Sequence, residues 1–419
     1  MWTVARSRAT PWQFRERVDS KIAWLLGYIL LAFGCFACWW VSTRTGSGSD
    51  IFPLHLVAAG ILHGAPIYDR DFQLQQFAHE YLLAPPAGIF YPPSTGGALL
   101  PLALFPANLV SSVWLGLMVL VVVLGTRTLA LFLKPGANWP LLAGAVLLTA
   151  SIRWGMTPLQ GAPLLFGLFA AFYPALVRGQ YGRAGAYAAY AVAFKFTLAL
   201  PFVALLALRR RWATVVTLGA MLVVLNIFGF YRVGGWAAFA DYQHNIVALE
   251  ALDGINTPDP WSASSVPRLD WIYLFYGLLR QLPPARLLTP ALCCVVLVYL
   301  AWRAWRLGDR LQHRELQLFL MPTVCVALLS VYHHHYDVAL AIVPFLVAWS
   351  APQGSRFTLG ILSVPLAAMM VLIPVGAVQS RLGPFPLALG LFHLAFPIAV
   401  SLALIDSLLS LKSLRSSHG

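Results

Sequence analysis

The sequence has few charged residues for its length. Only 10% of its 419 residues are Asp, Glu, Lys or Arg, whereas an average soluble domain has about 25%. Hydrophobic residues make up 59%, and the mean hydropathy is +0.74. Apolar runs of about 20 residues, the length of a helix that crosses a bilayer, recur along the chain. This composition excludes an ordinary soluble protein and predicts an all-α integral membrane protein with a single polytopic domain over residues 1–419.

Acidic residues and cysteines are scarce, and each scarcity excludes a class of function. There are 15 Asp and Glu against 28 Lys and Arg. The basic residues lie in short clusters between apolar runs, which is typical of topology signals and not of a nucleic-acid-binding face. All five cysteines lie in or beside apolar runs, so we expect neither a disulfide framework nor a zinc cluster. The C-x-x-C spacing of Cys35 and Cys38 places two small residues on one face of a predicted spanning helix.

Most Lys and Arg lie in one set of loops, which indicates the orientation of the chain in the membrane. Positive charge is enriched on the cytoplasmic side, so we expect both termini there, in a bacterial inner membrane. Residues 1–21 are predicted to be a basic cytoplasmic segment and residues 410–419 a cytoplasmic tail. Two long polar loops, 42–90 and 231–286, face the outer, periplasmic side, and we expect about 11 to 13 transmembrane helices in all.

Short helices are expected at the loops as well as in the bundle. Residues 74–81 have the apolar spacing of an amphipathic helix that lies on the membrane surface, and residues 271–279 are predicted to form a short membrane-facing helix. The apolar stretch 184–208 has basic clusters at both ends. Because both clusters should face the same side, this stretch predicts a pair of short helices with Lys195 at the turn.

Asp50 is the first carboxylate after the first predicted span, residues 22–41. A carboxylate close to the bilayer has a raised proton affinity because burial disfavours its charge, and this suits a general base that deprotonates an alcohol. The other interpretation is a solvated loop aspartate, and position alone does not separate the two.

Lys195 also has two interpretations. It is either a lysine that extends its charge from a helix end to the membrane surface or a cation that binds a phosphate or an anionic lipid headgroup.

Three consecutive histidines, His333, His334 and His335, precede Asp337 in the segment YHHHYD. Consecutive residues point in different directions on a helix, so the three bind one metal ion only in an irregular turn. Hydrogen bonds to a phosphate or to sugar hydroxyls fit the pattern better, and plain interfacial histidines are the third interpretation. Gln160 lies in a polar turn between two predicted helices, where polar residues serve solubility as well as binding.

Together these segments resemble the GT-C superfamily of membrane glycosyltransferases, in particular its bacterial polyprenyl-phosphate-mannose-dependent mannosyltransferase-like branch. The matching features, in chain order, are Asp50 followed by AAGILHGAPIYD, YPP at 91–93, Gln160 after a polar turn, FKFTLALP around Lys195, and YHHHYDVAL from Tyr332. The sequence departs from the family at two places. The G-Q-x-N turn is here Leu159-Gln160-Gly161-Ala162, and the second outer loop matches poorly.

The resemblance implies a GT-C-like helix bundle that transfers a sugar, with inversion, from a lipid-phosphate donor to a hydroxyl on the outer face. Asp50 would be the general base, and Lys195 with one or more of the three histidines would hold the phosphate. Further substrate contacts are expected from His55, Tyr68, Gln160 and Asp337. The donor would be a polyprenyl-phosphate-linked mannose, other hexose or pentose, and the acceptor a glycan or glycolipid. We expect that no cofactor is required, and the sequence does not indicate a divalent metal.

Two other functions are compatible with the same helices. A transporter or a flippase for lipid-linked glycans would line a path across the bilayer with polar residues, usually within an internal repeat. The sequence shows no repeat, and its polar residues cluster in the predicted outer loops. A noncatalytic partner in glycan assembly would keep the helices without needing Asp50.

Overall fold

The computed structural model describes residues 11–44, 50–76, 89–249, 251, 256–262, 265–307, 313–351, 359–373 and 375–413. These residues form helices joined by short turns and contain no β-strand. Five of the helices are long and apolar enough to cross a membrane, and six further apolar helical stretches are 10–17 residues long. The predicted class, an all-α membrane protein, is confirmed.

The α-helices of the described part are α1 Pro11–Arg44, α2 Ile51–His63, α3 Arg70–Gln76, α4 Pro93–Ala98, α5 Ala107–Leu133, α6 Trp139–Leu148, α7 Ala150–Met156, α8 Ala162–Val177, α9 Tyr181–Lys195, α10 Leu200–Leu208, α11 Trp212–Arg232, α12 Gly235–Leu249, α13 Trp271–Leu279, α14 Leu282–Leu307, α15 His313–Leu318, α16 Leu320–Ser330, α17 Ile342–Ser350, α18 Val364–Leu372, α19 Val375–Leu382 and α20 Pro386–Ser413. Short 3₁₀ helices at Leu100–Leu104, His335–Ala341 and Ile361–Ser363 complete the chain.

The expected helix pair around Lys195 is present. Helix α9 ends at Lys195 and α10 begins at Leu200. Helix α13 has the predicted bounds, Trp271–Leu279. Of the surface helix expected over residues 74–81, residues 77–81 lie outside the described residues, and α3 ends at Gln76. Lys195 therefore lies at a break between two helices, where its ammonium group reaches neighbouring turns.

Close contact between α5 and α8 depends on two facing glycines. A Cβ atom added at Gly125 would overlap the backbone of Gly167, and one added at Gly167 would overlap the backbone of Val121. Small residues let helix backbones approach closely where apolar lipid gives little drive for association. Helix α8 thereby becomes the buried centre of the bundle, with Phe166, Phe169 and Phe172 fully enclosed.

Helix α11 has the opposite character, because most of its side chains are exposed. Val223, Val224, Ile227 and Phe228 are 57–66% exposed and form an apolar face with no protein partner in the described part of the chain. A helix of this length, about 30 Å, matches the thickness of the hydrocarbon core. This face of α11 is therefore the lipid-facing wall of the bundle.

The glycine contact between α5 and α8 predicts opposite effects for two substitutions in one helix. Gly125→Ala places a methyl group against the backbone of Gly167 and should destabilise the protein by about 1–3 kcal/mol. Gly116 lies on the exposed side of α5 with no atom within 4 Å of an added Cβ, so Gly116→Ala should be neutral or stabilising by up to about 1 kcal/mol. Thermal unfolding of both variants in detergent measures the difference, and equal melting temperatures would contradict the packing described here.

Candidate functional site

The turn after α7 directs Gln160 into the bundle. Leu159 has a left-handed backbone with φ of 57°. This conformation is common at helix ends, where glycine usually adopts it. The N–H group of Gln160 donates to the carbonyl oxygen of Gly155 at 2.8 Å, and Trp114 Nε1 donates to the carbonyl oxygen of Leu159 at 2.8 Å. These bonds hold the chain in a tight reversal, and the buried side chain of Gln160 reaches the residue before α2.

That residue is Asp50. Its Oδ2 atom accepts a hydrogen bond from Gln160 Nε2, which also lies 3.5 Å from the hydroxyl oxygen of Tyr91. Tyr91 is fixed from behind, because the Tyr68 hydroxyl donates to its carbonyl oxygen at 2.7 Å and the Phe90 ring stacks on its ring at 4.5 Å. Three segments far apart in sequence thus meet at one carboxylate.

Burial changes the acidity of this carboxylate. Loss of solvation raises the pKa of Asp50 to about 6, and the hydrogen bond from Gln160 and the positive charge of Lys195 offset part of the rise. Burial together with the charge of Asp50 raises the pKa of Tyr91 well above the ordinary value. At neutral pH the site therefore combines an ionised carboxylate of raised basicity with a protonated phenol.

Lys195 and His333 share a second carboxylate. Lys195 Nζ lies 3.0 Å from Asp337 Oδ1 and 2.9 Å from Oδ2, and His333 Nδ1 lies 3.0 Å from the same Oδ2. Asp337 and His333 are fully buried, and the Lys195 side chain is 24% exposed. Burial of charge is costly unless it is paired, so Asp337 is the counter-ion that keeps Lys195 at this depth.

The histidine run is an irregular turn and not a helix. His334 has an extended backbone, and a 3₁₀ helix begins at His335. Two main-chain bonds fix the turn to the second predicted outer loop: Leu269 N–H donates to the carbonyl oxygen of His333 at 2.8 Å, and His335 N–H donates to that of Pro267 at 3.1 Å. Neighbouring histidines therefore face different partners.

The three imidazoles lie in three environments. His333 contacts Asp337, His334 Nε2 contacts the Tyr332 hydroxyl, and the His335 ring meets the Trp154 ring edge to face with centroids 4.9 Å apart. In the described part of the chain no group of three or more His, Cys, Asp or Glu residues is placed to hold a metal ion. Among the same residues, His333 Nε2 and His335 Nδ1 are buried without a hydrogen-bond partner.

A buried arginine supports this turn. Arg268 pairs with Asp270, with Nε 2.8 Å from Oδ2 and Nη2 3.1 Å from Oδ1, and Nη1 donates to the carbonyl oxygen of Asn256 at 2.5 Å. Its guanidinium group also lies over the Tyr332 ring, 4.5 Å from the centroid. Arg268 therefore fixes the second outer loop against the turn that carries the histidines.

The sequence of the chain matches the model of a known family, described as glycosyltransferase family 87, over residues 90–332, more than half of its length. The chain belongs to glycosyltransferase family 87. A comparison with curated proteins found no match. The matched range contains Tyr91, Gln160 and Lys195, whereas Asp50 precedes it and His333 follows it.

Membership of the family makes this protein a membrane glycosyltransferase of the GT-C type, whose substrates are a sugar donor and an acceptor. This favours the transferase over the transporter and the noncatalytic partner that the sequence had left open. It agrees with the placement of the polar groups, which meet where Asp50, Gln160 and Lys195 converge.

Not every residue predicted for the site lies in this cluster. Asp50, Gln160, Lys195, His333 and Asp337 come together. His55 Nε2 lies 3.0 Å from the carbonyl oxygen of Phe105, and the Tyr68 hydroxyl is used by Tyr91. Tyr68 thus supports the backbone of the site, whereas His55 contacts the turn before α5, and contact of either side chain with a sugar stays a prediction.

Sequence reasoning missed several residues of this glycosyltransferase site. The tyrosines Tyr332 and Tyr336 lie close enough to Asp50 and Asp337 for both charges to act on their hydroxyls. Both flank the histidines in YHHHYD, so the aromatic content of that segment was the available signal. The role of Arg268 had no such signal, because its partners are Asp270, Asn256 and a tyrosine more than sixty positions away.

The pairing of Lys195 with Asp337 predicts a stability effect that is separate from activity. Lys195→Met leaves the buried Asp337 without its main cation and should destabilise the protein by about 3 kcal/mol, the lower end for a broken buried pair because Lys195 is partly exposed. The double variant Lys195→Met/Asp337→Asn should lose less than the sum of the single losses. Lys134→Met, an exposed lysine at the end of α5, is the control. Additive losses in thermal unfolding would show that the two residues are not coupled.

Proposed function

We propose that this glycosyltransferase transfers a sugar, mannose or another hexose or pentose, from a polyprenyl-phosphate donor to a hydroxyl of a glycan or glycolipid, with inversion and with Asp50 as general base. The observation that carries the proposal is the position of Asp50, half-buried beside Gln160 and within range of the Lys195 charge. The resemblance to polyprenyl-phosphate-dependent mannosyltransferases supports the choice of donor. The reaction would take place at the outer face of a bacterial inner membrane.

The bond changes assign one task to Asp50. The acceptor oxygen attacks the anomeric carbon from the side opposite the phosphate, its proton passes to Asp50, and the bond between the anomeric carbon and the phosphate oxygen breaks. Gln160 donates to Oδ2, which leaves Oδ1 as the atom that takes the proton. A base with a pKa near the working pH is the most effective one, and the raised pKa of Asp50 brings it closer to that range.

The leaving group is a lipid phosphate, which needs stabilisation of its negative charge and no proton donor. An ammonium group has three N–H donors. The two oxygens of Asp337 lie within hydrogen-bond distance of Lys195 Nζ, and the proposal assigns the remaining donor to the phosphate. His333, whose Nδ1–H donates to Asp337, offers Nε2 as an acceptor to a sugar hydroxyl. The pair with Asp337 thus holds Lys195 in place for the donor.

The role of Asp50 as base predicts a loss of activity with a defined pH dependence. Asp50→Asn should reduce transfer of a labelled sugar from a polyprenyl-phosphate donor by about 100-fold or more, because general base catalysis commonly contributes that much. In the unsubstituted enzyme the carboxylate must be ionised, so activity should be lost as the pH falls through about 6. Undiminished transfer by correctly inserted Asp50→Asn protein would remove Asp50 as the base.

Substitutions of Gln160 test whether this residue sets the pKa of Asp50. Gln160→Ala removes a hydrogen bond that favours the ionised carboxylate, so the pH midpoint of kcat should move up by about one unit. Gln160→Glu places a second carboxyl group there and should move it further in the same direction. The pH profiles of both variants, compared with that of Gln243→Ala on an exposed face of α12, give the result. A lower kcat with an unmoved midpoint would mean that Gln160 contacts the sugar and does not tune the base.

A further inference from the structure

Helix α12 begins where a lipid-facing helix ends. The 21 residues of α11 extend for about 31 Å, enough to cross the hydrocarbon core. The chain then turns through Gly234 and Gly235, whose φ values of 129° and 66° are open mainly to glycine. Because α11 uses the thickness of the core, α12 starts at the membrane surface, on the side of the bundle that contains Asp50.

One face of α12 is fixed to the protein. Ala238, Asn245 and Leu249 are buried, and the Tyr242 ring packs against the rings of Tyr68 and Phe230, each with centroids 5.4 Å apart. Asn245 Nδ2 donates to two carbonyl oxygens of the first outer loop, that of Tyr68 at 3.3 Å and that of Ile89 at 3.1 Å. Ile89 is two residues before Tyr91, so this face of α12 connects directly to the segment that carries the site.

The opposite face of α12 is exposed and mostly apolar. Trp236 and Val247 are 81% and 69% exposed. Ala240, Gln243 and the exposed His244 lie along the same side, which contains no Asp, Glu, Lys or Arg. Asp241, the acid of this helix, is partly buried at the flank. The exposed apolar face of α11 leads into this stripe through Tyr231, which is 79% exposed.

We propose that α12 lies in the surface of the outer leaflet, with Trp236, Ala240 and Val247 in contact with lipid, and that it holds the segment of Tyr91 at the depth of the headgroups. Tryptophan and tyrosine are favoured at the membrane interface, where an apolar ring meets polar headgroups. A helix with one apolar face and one polar, anchored face lies in that plane. The continuous apolar surface shared with α11 identifies lipid as the occupant, in preference to a second copy of the chain or a soluble protein.

Photocrosslinking of the full chain in lipid nanodiscs tests the proposal. Benzoylphenylalanine is introduced singly at positions 236 and 247, at position 223 on the lipid-facing side of α11, and at position 71, an exposed aspartate of the first outer loop. After irradiation, mass spectrometry detects phospholipid adducts. Because the replaced side chains are all exposed, the packed face of α12 is unchanged in each variant.

Positions 236 and 247 should give lipid adducts as position 223 does, whereas position 71 should give none above background. Absence of lipid adducts at both 236 and 247, with adducts at 223, would overturn the proposal. Adducts between two copies of the chain at 236 or 247 would also overturn it and would identify this face as a dimer interface. Neither outcome depends on sugar transfer, so the result stands apart from the proposed reaction.

Discussion

This site depends on one constraint, that each fully buried charge is paired with a group of opposite charge. Asp337 is enclosed completely and is balanced by Lys195 and His333, and Arg268 is balanced in the same way by Asp270. Lys195 and Asp337 are 142 positions apart, whereas Arg268 and Asp270 lie two positions apart in one turn. Because an uncompensated charge at this depth would cost several kcal/mol, the pair of Lys195 and Asp337 favours the packing that brings their two turns together.

Asp50 differs from the other buried acids. Its carboxylate has a neutral amide as hydrogen-bond partner and receives only the indirect effect of Lys195. Burial raises the pKa of both carboxyl groups, but the charge of Lys195 and the hydrogen bond from His333 outweigh it at Asp337 and leave Asp50 with the higher pKa. Asp337 holds a cation in place, and Asp50 keeps the basicity that the proposed proton transfer requires.

Much of the fold followed from patterns that are local in sequence. Apolar runs located the long helices, the basic clusters on both sides of residues 184–208 predicted the break at Lys195, and Trp271–Leu279 was recognised from its composition. The fine structure did not follow, because it depends on contacts between elements. The 3₁₀ turn at His335–Ala341 exists where a main-chain segment pairs with it, and the reversal at Leu159 is held by a tryptophan of another helix.

The sequence predicted which residues belong to the candidate site better than it predicted which of them contact each other. Asp50, Gln160, Lys195, His333 and Asp337 were named from polarity, position and resemblance, and they converge. Sequence did not indicate that Lys195 is paired with Asp337, since the two are 142 positions apart. Nor did it separate Tyr68, which supports the backbone of Tyr91, from residues that face the centre. Hydrogen bonds between residues so far apart in the chain arise only when the helices pack, and they produce no periodic pattern in the sequence.

The short main-chain pairing between residues 267–269 and the histidine turn makes those two stretches one mechanical unit. In this pairing Pro267 contributes only its carbonyl group, so the missing N–H group of proline costs no hydrogen bond. Leu269 contributes its N–H group, so a proline at position 269 would remove that bond. The side chain of Arg268 strengthens this connection, because its guanidinium group lies over the ring of Tyr332. A displacement of the backbone at residues 267–269 would therefore move His333 and Asp337 with it.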